Sequence, residues 1–232
     1  VTKWRDASGK SLEDYPRPSV AVDVAVLTVA DGELKVLVVK SPRDGLALPG
    51  TFVHPGETTQ RAAVRALAAK AGLLGIEFHQ LGVFDDPQRD YRGWVISVAH
   101  GAALPLDRFP VDSTLISIVN DVPVEDLAYD HAQMVTFAVA DLRERYARAV
   151  DPDRLLGEAF TVLGLRQLYE AIYARPLPKD TFRRQLVDGL VSAGQLEVGG
   201  GRPAELFRRL PNCLLPRSAA SLFYGDYGRR RG

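Results

Sequence analysis

Two hydrophobic periods run along this chain, and the change from one to the other divides it. From Ser19 to Ala30 the run SVAVDVAVLTVA is dense in valine, as a buried strand should be. Asp31-Gly32 supplies a tight hairpin turn, and Leu34 to Lys40 returns as a second strand. After a loop from Pro42 to Gly45, Leu46 to Val53 reads as a third short strand. Pro55-Gly56 then marks a turn, and the spacing becomes helical from about Thr58 to Ala71. Ile76 to Phe84 and Trp94 to Ala102 are further apolar strands, with the polar loop DDPQRDYRG between them. Residues 103–128 look irregular apart from a short strand near Thr114–Ile118. His131 to Arg148 is amphipathic, with Met134, Phe137, Ala138, Leu142 and Tyr146 near one face and Asp130 placed as its N-cap.

Beyond Asp151-Pro152-Asp153 the pattern shifts to short helices. One is expected over Leu163 to Ala174, broken by Pro176-Leu177-Pro178, and a second over about Lys179 to Ser192. In the second, Phe182, Leu186 and Leu190 recur every four residues and, with Val187, predict a core-facing stripe. Ala193-Gly194 is its expected end. Two strand-like runs, Gln195 to Val198 and Leu206 to Arg209, flank a glycine-rich tip. Helix, turn, helix and hairpin in this order make a winged helix-turn-helix, whose second helix enters the major groove. The organisation predicted is α+β: an arm at 1–18, a mixed-sheet domain at 19–150, a winged helix at 151–211 and a basic tail at 212–232.

Composition changes little in this picture and charge changes more. With 46% hydrophobic and 25% charged residues the chain is globular. No apolar run is long enough to span a membrane. The single cysteine, Cys213, fits a reducing cytoplasm and reads as a small apolar residue. The zero net charge is unevenly divided, with 16 Lys/Arg against 20 Asp/Glu in residues 1–150 and 13 against 9 in 151–232. The C-terminal part is therefore the one suited to an acidic partner. On its second helix Lys179, Thr181, Arg183, Arg184 and Gln185 lie off the apolar stripe. With Arg202 on the wing they are the candidate DNA contacts.

The stretch from Leu48 to Leu73, LPGTFVHPGETTQRAAVRALAAKAGL, resembles a Nudix box, whose pattern is G, five residues, E, seven residues and then R-E-U-x-E-E-x-G-U. Glu57, Arg65, Leu67, Gly72 and Leu73 match in register. Thr51 replaces the opening glycine, and the three glutamate positions after the arginine hold Ala66, Ala69 and Lys70. In that family the glutamates bind the divalent metals that activate water. Such ions want several oxygen ligands, which two alanines and an ammonium do not offer. The resemblance thus implies a Nudix-like α/β/α sandwich that has kept its shape and lost its chemistry. Lys70 would put a fixed cation where the family holds a metal.

Arg43, Phe52, Glu57, Arg65, Lys70, Arg89 and Arg92 are the candidate effector-binding residues around the box, since arginine forks suit phosphates. The plainer alternatives are an Arg65–Glu57 structural bridge and a core position for Phe52 and Phe84. His54, His79, His100 and His131 show no metal-ligand spacing, and no P-loop, nucleophile elbow or dinucleotide fingerprint occurs. No catalytic residue, metal or cofactor is expected.

From Arg17 to Arg209 the chain is similar to the Nudix-related transcriptional regulators of NAD metabolism, the NrtR family. RPSVAVDVAVLTV, YDHAQMV, FTVLGLRQLYEAI, DTFRRQL and GRPAELFRR carry the likeness. It implies a homodimer on a palindromic double-stranded operator, released by ADP-ribose or a related nucleotide and repressing NAD synthesis or salvage genes. Thr181 stands where that family commonly has Asn, which leaves the base preference open. Two rivals remain: a Nudix pyrophosphatase acting on ADP-ribose through Asp85, Asp86 or Asp90, and an effector-independent DNA binder.

Overall fold

Twelve residues of near-continuous apolar character can be buried on both faces only at the centre of a layered sheet, and β1 (Ser19–Ala30) takes that place. The structure, a computed structural model, describes residues 4–41, 45–197, 203–211 and 213–224. After β1 come β2 (Glu33–Ser41), β3 (Gly45–Ala47), β4 (Gly50–Phe52), α1 (Thr59–Ala71), β5 (His79–Phe84), β6 (Val95–Ala103), β7 (Thr114–Val119), β8 (Val122–Pro123) and α2 (His131–Arg148). The second half holds β9 (Phe160–Thr161), α3 (Val162–Tyr173), α4 (Lys179–Leu186), β10 (Leu190–Glu197), β11 (Ala204–Arg209) and α5 (Arg217–Tyr224).

The large sheet runs β5-β6-β1-β2-β7-β8, with β3 on β2 and β4 on β1. β1 and β6 are parallel, and the other pairs are antiparallel. Alternate side chains of β1 serve opposite layers. Val22, Val24 and Val26 pack with Ala62, Ala63 and Leu67 of α1. Ala25 and Leu27 pack with Met134, Val135, Ala138, Val139 and Leu142 of α2. α1 is capped at one end by Thr58, whose hydroxyl accepts from the Arg61 amide. At the other end Gly72 takes φ 65°, the left-handed turn that only glycine adopts at no steric cost.

The second domain is a winged helix: α3 and α4 against the sheet β10-β11-β9. Its core, with Leu165, Tyr169, Ile172, Phe182 and Leu186, is continuous with the α2 face of the first domain. Thr161 caps α3 by accepting from the Gly164 amide. Among the described residues no helix is long and apolar enough to cross a membrane.

Several expected boundaries move. The strand expected over Leu46 to Val53 is two short ones, β3 and β4, which pair with different partners around Leu48-Pro49. β5 begins at His79 and not at Ile76. The helix expected over Lys179 to Ser192 ends at Leu186, followed by one tight turn over Val187–Gly189. The reason is tertiary: a Cβ on Gly189 would stand 2.6 Å from Val150, and Leu190 pairs with Arg209 in the hairpin. Leu190 is thus a strand residue, Val187 is exposed, and Ala193-Gly194 lies within β10 at a register shift. The segment expected as a basic tail from 212 carries α5, whose Ala219 and Phe223 are buried. Residues 225–232 lie outside the described residues, as do Arg43 and Arg202.

Candidate functional site

A cleft of about 940 Å³ runs from the last turn of α1 to the first turn of α2, a size suited to a small-molecule ligand. Its lining includes Lys40, Ala69, Lys70, Gly72, Ser113 and Thr114, together with Phe52, Arg92 and Tyr129. Part of its lining forms where β4 pairs with β1, Gly50 opposite Asp23. A Cβ on Gly50 would lie 1.8 Å from Asp23 Oδ1, so only glycine fits.

Asp23 is a carboxylate buried in the valine-rich strand, and its neighbours explain how it is tolerated. Ser97 Oγ donates to it at 2.6 Å, and Arg89 lies 3.8 Å away. The Leu48 amide donates to His131 Nδ1 at 2.9 Å, so the ring proton sits on Nε2 and points at Asp23 Oδ1, 3.4 Å off. Burial pushes the Asp23 pKa up, but His131, Ser97 and Arg89 outweigh it and hold the group below the usual carboxylate range.

Both cleft arginines are already engaged. Arg89 is a fork on Asp130, with Nε to Oδ2 at 2.8 Å and NH2 to Oδ1 at 2.6 Å. Asp130 therefore precedes α2 without capping it through its side chain, because the carboxylate is taken by Arg89. Arg92 grips Asp90 in the same manner at 2.8 and 2.6 Å, and this ion pair is what lowers the Asp90 pKa. The Arg92 guanidinium lies 5.3 Å from the Phe52 ring and 5.0 Å from that of Tyr129, a cation between two aromatic faces. Tyr129 in turn stacks on exposed Tyr91.

Glu57 and Arg65 do not line the cleft. Arg65 donates Nε and NH2 to the two Glu57 oxygens at 3.0 and 2.8 Å, and also reaches Thr51 Oγ1 and the Phe52 carbonyl. The His54 amide donates to Glu57 as well, and these bonds, that of Arg65 foremost, hold the Glu57 pKa down at about 2. This pair is a strut for the loop between β4 and α1. It also answers whether the box can hold a metal. Glu57 has both oxygens committed, Ala66 is buried, and Ala69 and Lys70 present a methyl and an ammonium, so the residues present do not fit a divalent ion.

Of the expected effector residues the cleft brings together Phe52, Lys70, Arg89 and Arg92. Asp23, Tyr129 and His131 were missed by sequence reasoning. One signal for Asp23 was available, a lone acid inside an apolar strand.

α2 leads from this cleft to the winged helix. At its far end Tyr169 Oη donates to the carbonyls of Tyr146 and Ala149, and Tyr173 Oη to that of Arg143 at 2.6 Å. Buried Asp151 accepts from Tyr146 Oη and from the amides of Leu155 and Leu156, and pairs with Arg209 of β11. Phe223 of α5 packs against Tyr169, Tyr173 and Phe182. On α4, Lys179, Arg183 and Arg184 are exposed and Thr181 is half-buried. Gln185 differs, since its Oε1 accepts from Ser218 Oγ of α5 at 2.8 Å.

Comparison with known proteins gives two domain matches: the Nudix domain over residues 18–140 and the NrtR DNA-binding winged helix domain over 153–209. The chain is 30% identical to the ADPR responsive transcriptional repressor NtrR of Acinetobacter baylyi, over 84% of this chain and 83% of that protein. It is 33% identical to an ADP-ribose pyrophosphatase of Methanocaldococcus jannaschii over 58% of this chain and 80% of that one. The crystal structure of Shewanella oneidensis NrtR complexed with a 27mer DNA superimposes with a TM-score of 0.69 and 27% identity, covering 88% of this chain and 96% of that chain.

Proposed function

The chain belongs to the NrtR family of Nudix-related transcriptional regulators, and from that premise we propose that it is a DNA-binding repressor whose Nudix domain binds ADP-ribose or a related nucleotide without hydrolysing it. Genes of NAD synthesis or salvage are its targets in this reading, and a homodimer places two copies of α4 about one DNA turn, roughly 34 Å, apart on a palindromic operator. The observation that carries the reading is the path of α2. Its first turn belongs to the cleft network through Asp130 and His131, and its last turn is bonded to the winged helix through Tyr169, Tyr173 and Asp151.

A ligand shifts an equilibrium only by binding one arrangement better than another. A nucleotide that competes for Arg89 or Arg92 alters the grip on the start of α2, and the helix carries that change to α4. Rotating α4 out of register then weakens the operator complex. Arg183 and Arg184 are the expected readers or phosphate contacts. Replacing both with alanine should abolish the gel shift on the promoter beside the protein's own gene, while calorimetry with ADP-ribose stays unchanged. A normal shift by that double variant would remove α4 from the reading role.

The pyrophosphatase reading is favoured by the Methanocaldococcus relative. It needs metal ligands outside the box, yet Asp90 is held by Arg92 and Asp86 accepts from the Gln88 amide. AMP release from ADP-ribose in excess Mg²⁺ or Mn²⁺, abolished by Glu57→Gln, would decide for the enzyme.

A further inference from the structure

The charges lining the cleft can be paired off one by one. Arg89 is spent on Asp130, Arg92 on Asp90, and His131 on the Leu48 amide and Asp23. Lys40 and Lys70 remain: both line the cleft and both are exposed. Among the described residues neither side chain has an ion pair or hydrogen bond. Ser113, Thr114 and the Phe52 and Tyr129 rings line the same cleft. The cleft thus offers two exposed ammonium groups as well as aromatic faces.

We infer that the cleft holds a diphosphate-bearing nucleotide without a metal ion, Lys40 and Lys70 supplying the charge that neutralises the phosphates. This rests on the function proposed above and adds the source of the neutralising charge and the independence of divalent cations. Asp23 and Asp90 are committed to protein donors, which leaves Asp112 as the other carboxylate lining the cleft. A single carboxylate does not hold Mg²⁺, which needs near-octahedral oxygen ligation. Two ammonium groups on flexible stems attract phosphate oxygens as point charges. They cannot lower the pKa of a bound water as a metal does. The same substitution that permits binding therefore withholds the nucleophile.

The test is calorimetry of the full chain with ADP-ribose, once in EDTA and once in millimolar Mg²⁺. Equal affinity in the two buffers, within about twofold, is expected. Lys40→Ala and Lys70→Ala should each weaken binding by roughly tenfold, the loss of one charge-assisted contact, and Lys70→Arg should restore most of it. Both side chains are exposed, so the thermal midpoint should not move. Binding that disappears in EDTA and returns with Mg²⁺ overturns the inference but leaves the proposed function standing, as does wild-type affinity in both alanine variants. No binding in either buffer overturns both.

Discussion

The two ends of α2 are held by different balances of interaction. At its start the contacts are ionic and interlinked: Arg89 forks Asp130, and His131 bridges Leu48 and Asp23. At its end one buried ion pair, Asp151 with Arg209, sits beside a larger aromatic cluster, with Tyr146, Tyr169, Tyr173 and Phe223 packed ring on ring and two hydroxyls fixed on backbone carbonyls of α2 and the residue after it. A charged ligand can compete for an ion pair, because the exchange replaces one partner with another. It cannot compete for a ring cluster, which opens only when the apolar surface is exposed to water. One end of the helix is therefore a grip that a nucleotide can alter, and the other a joint that passes the movement on.

The largest effect should come from breaking the joint. Phe223 is 1% exposed and touches Tyr169, Tyr173 and Phe182, so Phe223→Ala should cost about 3–5 kcal/mol of stability. Denaturant unfolding measures this, and DNA affinity should fall by more than tenfold while ADP-ribose affinity changes by less than about twofold. An equal loss at both sites would erase the distinction between the two ends. Breaking the grip should do less. Arg89→Ala strands Asp130 and removes one of the supports of Asp23, which keeps Ser97 and His131, costing about 3 kcal/mol, the low end for a buried pair, because Asp130 keeps some contact with water. Here DNA affinity without nucleotide should survive and its response to ADP-ribose should vanish. A variant that still releases its operator on adding ADP-ribose would show that the cleft network is not the grip.

How much of this was legible in the residues depended on how local each cause is. The valine run, the hairpin at Asp31-Gly32 and the bounds of α2 are set by neighbours in sequence, and they emerged within a residue or two. The α4–β10 boundary was not local. Phe182, Leu186 and Leu190 keep a four-residue period, yet Gly189 pressed against Val150 and the pairing of Leu190 with Arg209 end the helix early. The arginines show the same limit at the site. Arg89 and Arg92 read as free phosphate forks, but the partner of Arg89, Asp130, is 41 residues away and nothing in the spacing announces it. α5 was hidden for another reason: eight residues flanked by arginines look like a solvated tail until Tyr169 and Tyr173 offer Phe223 a place to bury.

The smallest effect, and the finest discrimination between the ends, should come from pH. Burial raises the pKa values of Tyr146, Tyr169 and Tyr173 above the usual tyrosine range. A raised pKa means that their contribution is fully present below the unfolded value, roughly 10, and is lost as pH rises beyond it. The cleft titrates at the other extreme. Asp23 and Asp90 are held below their ordinary 3.8, so their contribution is present above that value and lost as pH falls. Burial also depresses His100, against the pull of the Val98 carbonyl, so acid destabilisation begins below about 6.5, where the unfolded chain takes up a proton that the fold resists. Amide exchange corrected for intrinsic rates should then show residues 162–186 and 217–224 loosening first above pH 10. Below pH 4 the order should reverse, with 45–57 and 85–92 loosening first. If both regions loosen together at both extremes, the two ends of α2 unfold as one unit and the contrast between grip and joint fails.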